Sequence, residues 1–318
     1  MKDKSKFKDI FSKLKAVFDV EEKGDVEQFL CLHVSKFKDH TGYSITQAHL
    51  IDQIVADVGL KDKNFKCPQT PCPSTFIFHR NQEDSPFDPN LFHYQSVVGK
   101  LNYLEKSSRP DISYAVHQCA RFLHDPKVTH GQAILHLVKY LHGTRGKGII
   151  LHPTQDYNLH CHVDADFCGS WFKLTAMHDV STAKSRTGFA ITYANCPVSW
   201  SSKLQTQVAL STTEAEYIAM SSVLQDAIPI RIFLHELKSK KFSDTESKTQ
   251  LHCKVFEDNS AALEMARNPK MRPRTKHINV LYHWFLSYIK DGSVKAYPVL
   301  SEINVETCGP SLWPINYL

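Results

Sequence analysis

Leu159-His160-Cys161-His162-Val163-Asp164-Ala165-Asp166 alternates apolar and polar side chains, the pattern of a strand buried on one face. Leu159, Cys161 and Val163 point one way; His160, His162, Asp164 and Asp166 point the other. β-propensity and burial both disfavour Asp in mid-strand, so this polar face is either solvated or awaits a cation. Downstream, the spacing predicts strands over 187–193 and 197–202, a long helix over 211–238, a strand over 251–257, a helix over 260–268, a basic helix over 275–290 and a strand over 293–299. Three strands, helix, strand, helix is an α/β order that calls for a mixed sheet with flanking helices.

Upstream of Leu159 the pattern changes. Helices are expected near 92–106, 111–124 and 130–142, broken by Arg109-Pro110, Asp125-Pro126 and Gly143. Residues 66–89 carry Pro68, Pro71, Pro73, Pro86 and Pro89 and read as a linker. Before them come a basic amphipathic helix over 1–18, expected to pack its apolar stripe on its own domain, a strand over 29–37, a turn at Gly42 and a helix over 47–58. The expected domains are therefore 1–65, the linker 66–89, a helical unit 90–150 and an α/β domain 156–318.

Composition narrows the function classes. In 318 residues, 42% hydrophobic and 22% charged, no run approaches the roughly eighteen uninterrupted apolar residues of a spanning helix, and Met1-Lys2-Asp3-Lys4 opens no secretory core. A membrane or secreted protein is thus not expected. Nine scattered cysteines without a Cys-x-x-Cys pair suit a reducing compartment, cytoplasmic or nuclear. The net charge of +5 permits a polyanionic partner. It is concentrated in Arg267, Lys270, Arg272, Arg274, Lys276 and His277, a run suited either to tracking phosphates or to a solvated face.

Three acids stand out. Asp164 lies on the first strand. In Ser211-Thr212-Thr213-Glu214-Ala215-Glu216, the capping-box pattern predicts that Glu214 reaches back to the Ser211 N–H, leaving Glu216, about 200° round the helix, to point elsewhere. Asp258 follows the strand ending at Glu257 and is either a helix N-cap or a site acid. A zinc site from His160, Cys161, His162 and Cys168 is disfavoured because adjacent strand residues face opposite ways.

Six segments in order carry a resemblance: Val163 to Phe167, Ser181 to Gly188, Ser199 to Lys203, Ala209 to Ala219, Glu257 to Leu263 and Arg274 to Ile278. Together they resemble the ribonuclease H domain of copia-type retrotransposon Pol polyproteins, and Tyr94 to Leu104 with Arg109 to Val116 resemble the region that joins reverse transcriptase to it. The resemblance implies a ribonuclease H-like fold after about 156, the end of a reverse-transcriptase palm in 1–65 and a thumb or connection in 90–150. It implies that Asp164, Glu216 and Asp258 hold two Mg2+ ions, joined by a fourth Asp from a C-terminal helix, and cleave the RNA strand of an RNA–DNA hybrid. Arg272, Arg274, Lys276 and His277 would meet the nucleic acid.

Three departures from the family qualify these expectations. No Asp-Asp pair of the polymerase kind occurs, so the upstream reverse-transcriptase part is expected to be absent and no DNA synthesis follows. Phe29-Leu30-Cys31-Leu32 lacks the Gly that follows Phe-Leu in the family. Beyond Val299, the family pattern is a helix resembling Ala-Asp-Met-x-Thr-Lys, whereas Glu306 to Pro314 places Gly309-Pro310 there. Permitted codons for Thr307 to Pro314, regrouped in another frame, read Met-Trp-Thr-Lys-Ser-Leu-Ala. A frameshift near Val305 that removes the fourth acid is expected, leaving either an enzyme or a non-catalytic remnant that binds nucleic acid.

Overall fold

The computed structural model describes residues 4–21, 24, 26–39, 41–61, 63–73, 84–171, 179–239, 251–268 and 283–299. Its first region opens with α1 (Lys4–Lys15), a hairpin of β1 (Gln28–Phe29) and β2 (Leu32–Lys36), then β3 (Tyr43–Thr46) and α2 (Ala48–Asp57). After α3 (Tyr94–Ser107), a 3-10 turn at Pro110–Ile112, α4 (Ser113–Ala120) and α5 (Val128–Gly143), β4 (Ile149–Leu151) returns to pair with β3. The sheet order is β1-β2-β3-β4, antiparallel throughout. One apolar cluster joins Leu50, Ile51 and Ile54 of α2 to Val98, Leu101, Ile134 and Leu137 of the later helices. Segments on both sides of 66–89 therefore share a single core. Arg109, fully buried, is held by a two-pronged bond to Asp111 and by the Thr144 carbonyl.

Two expectations for this region fail. The stripe of α1 does not pack on its domain: Ile10 and Leu14, with Val17 and Phe18 just beyond the helix, are exposed, because an amphipathic pattern chooses a face without supplying a partner for it. The strand expected over 29–37 is a hairpin. Leu30 (φ 48°) and Cys31 (φ 64°) form its two-residue turn in the left-handed region, and neither residue type announces such a turn.

The second region holds β5 (Leu159–Asp166), β6 (Arg186–Tyr193), β7 (Cys196–Leu204), α6 (Thr212–Ser239), β8 (Cys253–Glu257), α7 (Ser260–Arg267), α8 (Leu286–Lys290) and β9 (Val294–Pro298). The sheet runs β7-β6-β5-β8-β9, with β5, β6 and β7 antiparallel and β5, β8 and β9 parallel. This is the mixed sheet with flanking helices expected of a ribonuclease H-like domain. Leu159, Cys161, Val163 and Ala165 are buried against α6 residues Tyr217, Met220, Val223 and Leu224. By length and composition α6 could span a bilayer, but half of its apolar window is buried in this core. On the other sheet face, Ala190 and Trp200 pack on Ile45, Ile149 and Leu151 of the first region.

Candidate metal centre

Asp164, Glu216 and Asp258 come from three elements and converge: one ligand oxygen from each lies within 4.8 Å of the others. Local structure explains why each is available. Asp164 sits opposite Gly188 in the β5–β6 register, so no side chain stands beside it on that strand. At the start of α6, the Glu214 N–H donates to Ser211 Oγ at 3.1 Å, and the Glu214 carboxylate accepts the Leu210 N–H at 2.9 Å. The capping partner is thus Leu210 rather than the expected Ser211, but Glu214 is occupied by the helix start. Glu216 turns to β5, where its carboxylate accepts the Ala165 N–H. At the start of α7 the cap is Asn259, whose side chain accepts the Ala261 and Ala262 N–H groups at 3.0 Å. Asp258 is thereby released from capping.

A fourth acid borders the cluster. Glu257 is fully buried and accepts the Asn259 N–H on Oε1 at 3.0 Å. Burial pushes the Glu216 carboxyl far above the usual carboxylate range, and the charges of Glu257, Asp164 and Asp258 push it further. Burial likewise raises Glu257, with Asp258 and Asp164 adding to it. Glu216 Oε2 and Glu257 Oε2 are buried without a hydrogen-bond partner. An all-carboxylate donor set with orphaned oxygens fits a hard divalent cation, which wants oxygen ligands and offsets mutual repulsion. Glu257 received no role in the sequence reading, although Cys253, Val255 and Glu257 alternate onto the apolar side of β8, and an acid there is a visible anomaly.

The remaining candidates fall elsewhere. Asp166 is raised chiefly by burial, countered by Arg186 and by the Gly169 N–H. A Cβ added at Gly169 would lie 2.1 Å from Asp166 Oδ2, so a side chain there would displace the Asp166 carboxylate. His162 stacks on Phe256 at 4.8 Å, and burial drops it to about 4, while Cys161 is buried on the opposite face, so no zinc set forms there. Arg272, Arg274, Lys276 and His277, and the whole tail from 300 to 318, lie outside the described residues.

No family model matches the chain. It is 30% identical over 315 residues to the retrovirus-related Pol polyprotein from transposon TNT 1-94 of Nicotiana tabacum, covering 95% of this chain and 22% of that protein. To the corresponding polyprotein from transposon RE1 of Arabidopsis thaliana it is 29% identical over 279 residues, covering 87% of this chain and 17% of that protein. The chain spans about a fifth of the length of these curated relatives. Among solved structures it is similar to LC11-RNase H1 isolated from compost, at 14% identity, over 46% of this chain and 88% of that one, with a TM-score of 0.31. With relatives that match along most of its length and a ribonuclease H-like mixed sheet in its second region, the chain belongs to the retrovirus-related Pol polyproteins of transposons.

Proposed function

We propose that the second region is a ribonuclease H of the copia type, cleaving the RNA strand of an RNA–DNA hybrid with two Mg2+ ions held by Asp164, Glu216 and Asp258. The observation that carries this reading is the convergence of these three acids within 4.8 Å. Bound there, the ions would lower the pKa of an attacking water and stabilise the departing 3′-oxygen. The chain's own part is placement. The Ala165 N–H orients Glu216, the Asn259 cap leaves Asp258 free, and the buried floor beneath Glu216 keeps water from screening the acids. Choice of hybrid over duplex DNA would rest on minor-groove width and 2′-hydroxyl contacts, with Arg272, Arg274, Lys276 and His277 tracking phosphates. Domain by domain, we read 1–65 as the end of a palm, 90–150 as a thumb or connection and 156–318 as the hydrolase.

A second reading is carried by the sequence of Glu306 to Pro314, which has Gly309-Pro310, a helix-disfavouring pair, where the family pattern has the helix bearing a fourth acid. On it, the chain binds a hybrid and cleaves it very weakly or not at all. One experiment separates the two: cleavage of a labelled RNA–DNA hybrid in Mg2+ by the chain and by its Asp164→Asn variant. The enzyme reading expects a rate at least about 100-fold above the variant, since an incompletely ligated ion loses the positioning hydrolysis needs. Equal rates with retained hybrid binding would establish the remnant. No binding at all would overturn both.

A further inference from the structure

The tip of β8 delivers two adjacent acids to the metal centre from opposite sides of the sheet. Asp258 belongs to the three-acid cluster; Glu257 comes from the face that packs under α6. Its position is unusual for a merely structural side chain. It is fully buried, one oxygen serves the Asn259 N–H, and the other has no partner. Around it stand Asp258, Asp164 and Glu216, all acidic. Glu216 is itself 7% exposed and also keeps an unpartnered oxygen. Holding one N–H at a helix start needs no charge, and an amide of the same shape would do it without repulsion. A buried acid beside three others carries its charge at little cost where a cation arrives to compensate it, and is otherwise pushed toward its neutral form. Because Glu257 stands outside the set whose ligand atoms all lie within 4.8 Å, direct ligation of the same ion is not its place.

We propose that Glu257 is the fourth acid of the cation site: its Oε2 accepts a hydrogen bond from a cation-bound water, and its charge adds to that of Asp164, Glu216 and Asp258 in holding the ion. This rests on reading the site as a metal centre. Glu257 is then a positioning residue, and it supplies from β8 part of the negative charge that the family pattern draws from a C-terminal helix. Groups just outside the ligands commonly change metal affinity by about 10- to 100-fold.

The test is calorimetric titration of the whole chain with Mn2+, alongside thermal unfolding with and without the ion, for the parent, Glu257→Gln, Glu257→Asp and Asp164→Asn. Glu257→Gln is expected to bind Mn2+ roughly 10- to 100-fold more weakly and, without metal, to unfold at the same or a higher temperature than the parent, because repulsion is removed. Glu257→Asp keeps the charge and is expected to bind more tightly than the Gln variant. Asp164→Asn should abolish binding. If Glu257→Gln binds as tightly as the parent while Asp164→Asn does not bind, or if the Gln and Asp variants weaken binding equally, Glu257 has no such role. A metal-free Gln variant that is less stable or unfolded also refutes it. If the parent itself fails to bind Mn2+, the metal-centre reading falls first and takes this proposal with it.

Discussion

The two sheets of the molecule differ in what covers them. In the five-stranded sheet, β5 buries every second residue against α6, and its neighbours supply Phe189, Ile191, Cys253 and Val255 to the same core. In the four-stranded sheet, β2 buries no residue fully, β1 is exposed, and the core of that region lies among its helices. Ile45, Ile149 and Leu151 take apolar cover from Ala190 and Trp200 of the other sheet. One sheet organises its own region; the other leans on its neighbour. Polar contacts follow the same line: Trp200 Nε1 donates to the Glu105 carbonyl at 3.0 Å, Arg121 donates to Ser181 Oγ at 2.6 Å, and the Arg186 guanidinium lies 4.8 Å from the Tyr114 ring.

The contrast is most exposed to attack at Trp200. Replacing it with Ala removes the side chain that joins both sheets, together with its hydrogen bond, and should cost about 3–5 kcal/mol. The loss should fall unevenly. Hydrogen exchange in β3 and β4 is expected to accelerate by a larger factor than in β5 and β8, which keep the α6 core. Uniform acceleration across both sheets would show that the first does not depend on the second. A cost below about 1 kcal/mol would show that Trp200 fills no shared core.

Acidity should separate the regions at the next level of effect. His117 of α4 lies at the junction, 3.1 Å from Arg186, and burial, then Arg186, Arg121, Lys203 and Lys106, lowers it to about 3. The folded chain therefore resists a proton that the unfolded chain accepts near its ordinary value of about 6.5. Stability from this group is present above about pH 6.5 and is lost as pH falls toward 3. By pH 5 the loss should be on the order of 1–2 kcal/mol. The acid cluster has the opposite sign. Glu216 and Glu257 are raised, so their contribution is full below the ordinary carboxylate range and is lost as pH rises through their folded values. Unfolding monitored between pH 5 and 8 should show the acid-side loss disappear in His117→Asn and the alkaline-side loss shrink in Mg2+. An unchanged acid limb in His117→Asn would remove the junction histidine from the account.

What was legible in the sequence follows from the same difference in cover. The alternation of Leu159, Cys161 and Val163 named the buried face of β5 because α6 is there to bury it. The alternation in Cys253, Val255 and Glu257 was equally regular, but an acid in third place hid the fact that its side chain goes inward. On α1, Ile10 and Leu14 mark an apolar face just as clearly, yet periodicity cannot say whether anything packs on it, and here they are exposed. Asp258 could not be told from a helix cap until Asn259 was seen to take both N–H groups. The convergence of Asp164, Glu216 and Asp258 depends on contacts spanning almost a hundred positions, and local pattern suggested each acid while only the resemblance joined them.

The smallest expected effect lies in the hairpin of the dependent sheet. Leu30 and Cys31 both have positive φ, the arrangement of a two-residue turn that favours Asn-Gly, and an L side chain there costs roughly 1–2 kcal/mol per residue. Cys31→Gly removes the steric part but frees the unfolded chain, which offsets about 0.5–1 kcal/mol of the gain. A net stabilisation of about 0.5–1 kcal/mol remains. Cys31 is exposed and makes no described side-chain hydrogen bond, so nothing is lost with its thiol. The turn is anchored by the Tyr103 hydroxyl, which donates to the Leu30 carbonyl, a contact with the backbone that the substitution leaves in place. Since β1 and β2 bury so little, the gain should appear locally, as slower exchange of the β1–β2 ladder and slower proteolytic cutting between 26 and 36, with hardly any change in the unfolding of the second region. If Cys31→Gly instead speeds cutting there, the left-handed turn is not the source of strain. If it stabilises both regions alike, the first sheet is more tightly coupled to the second than its cover implies.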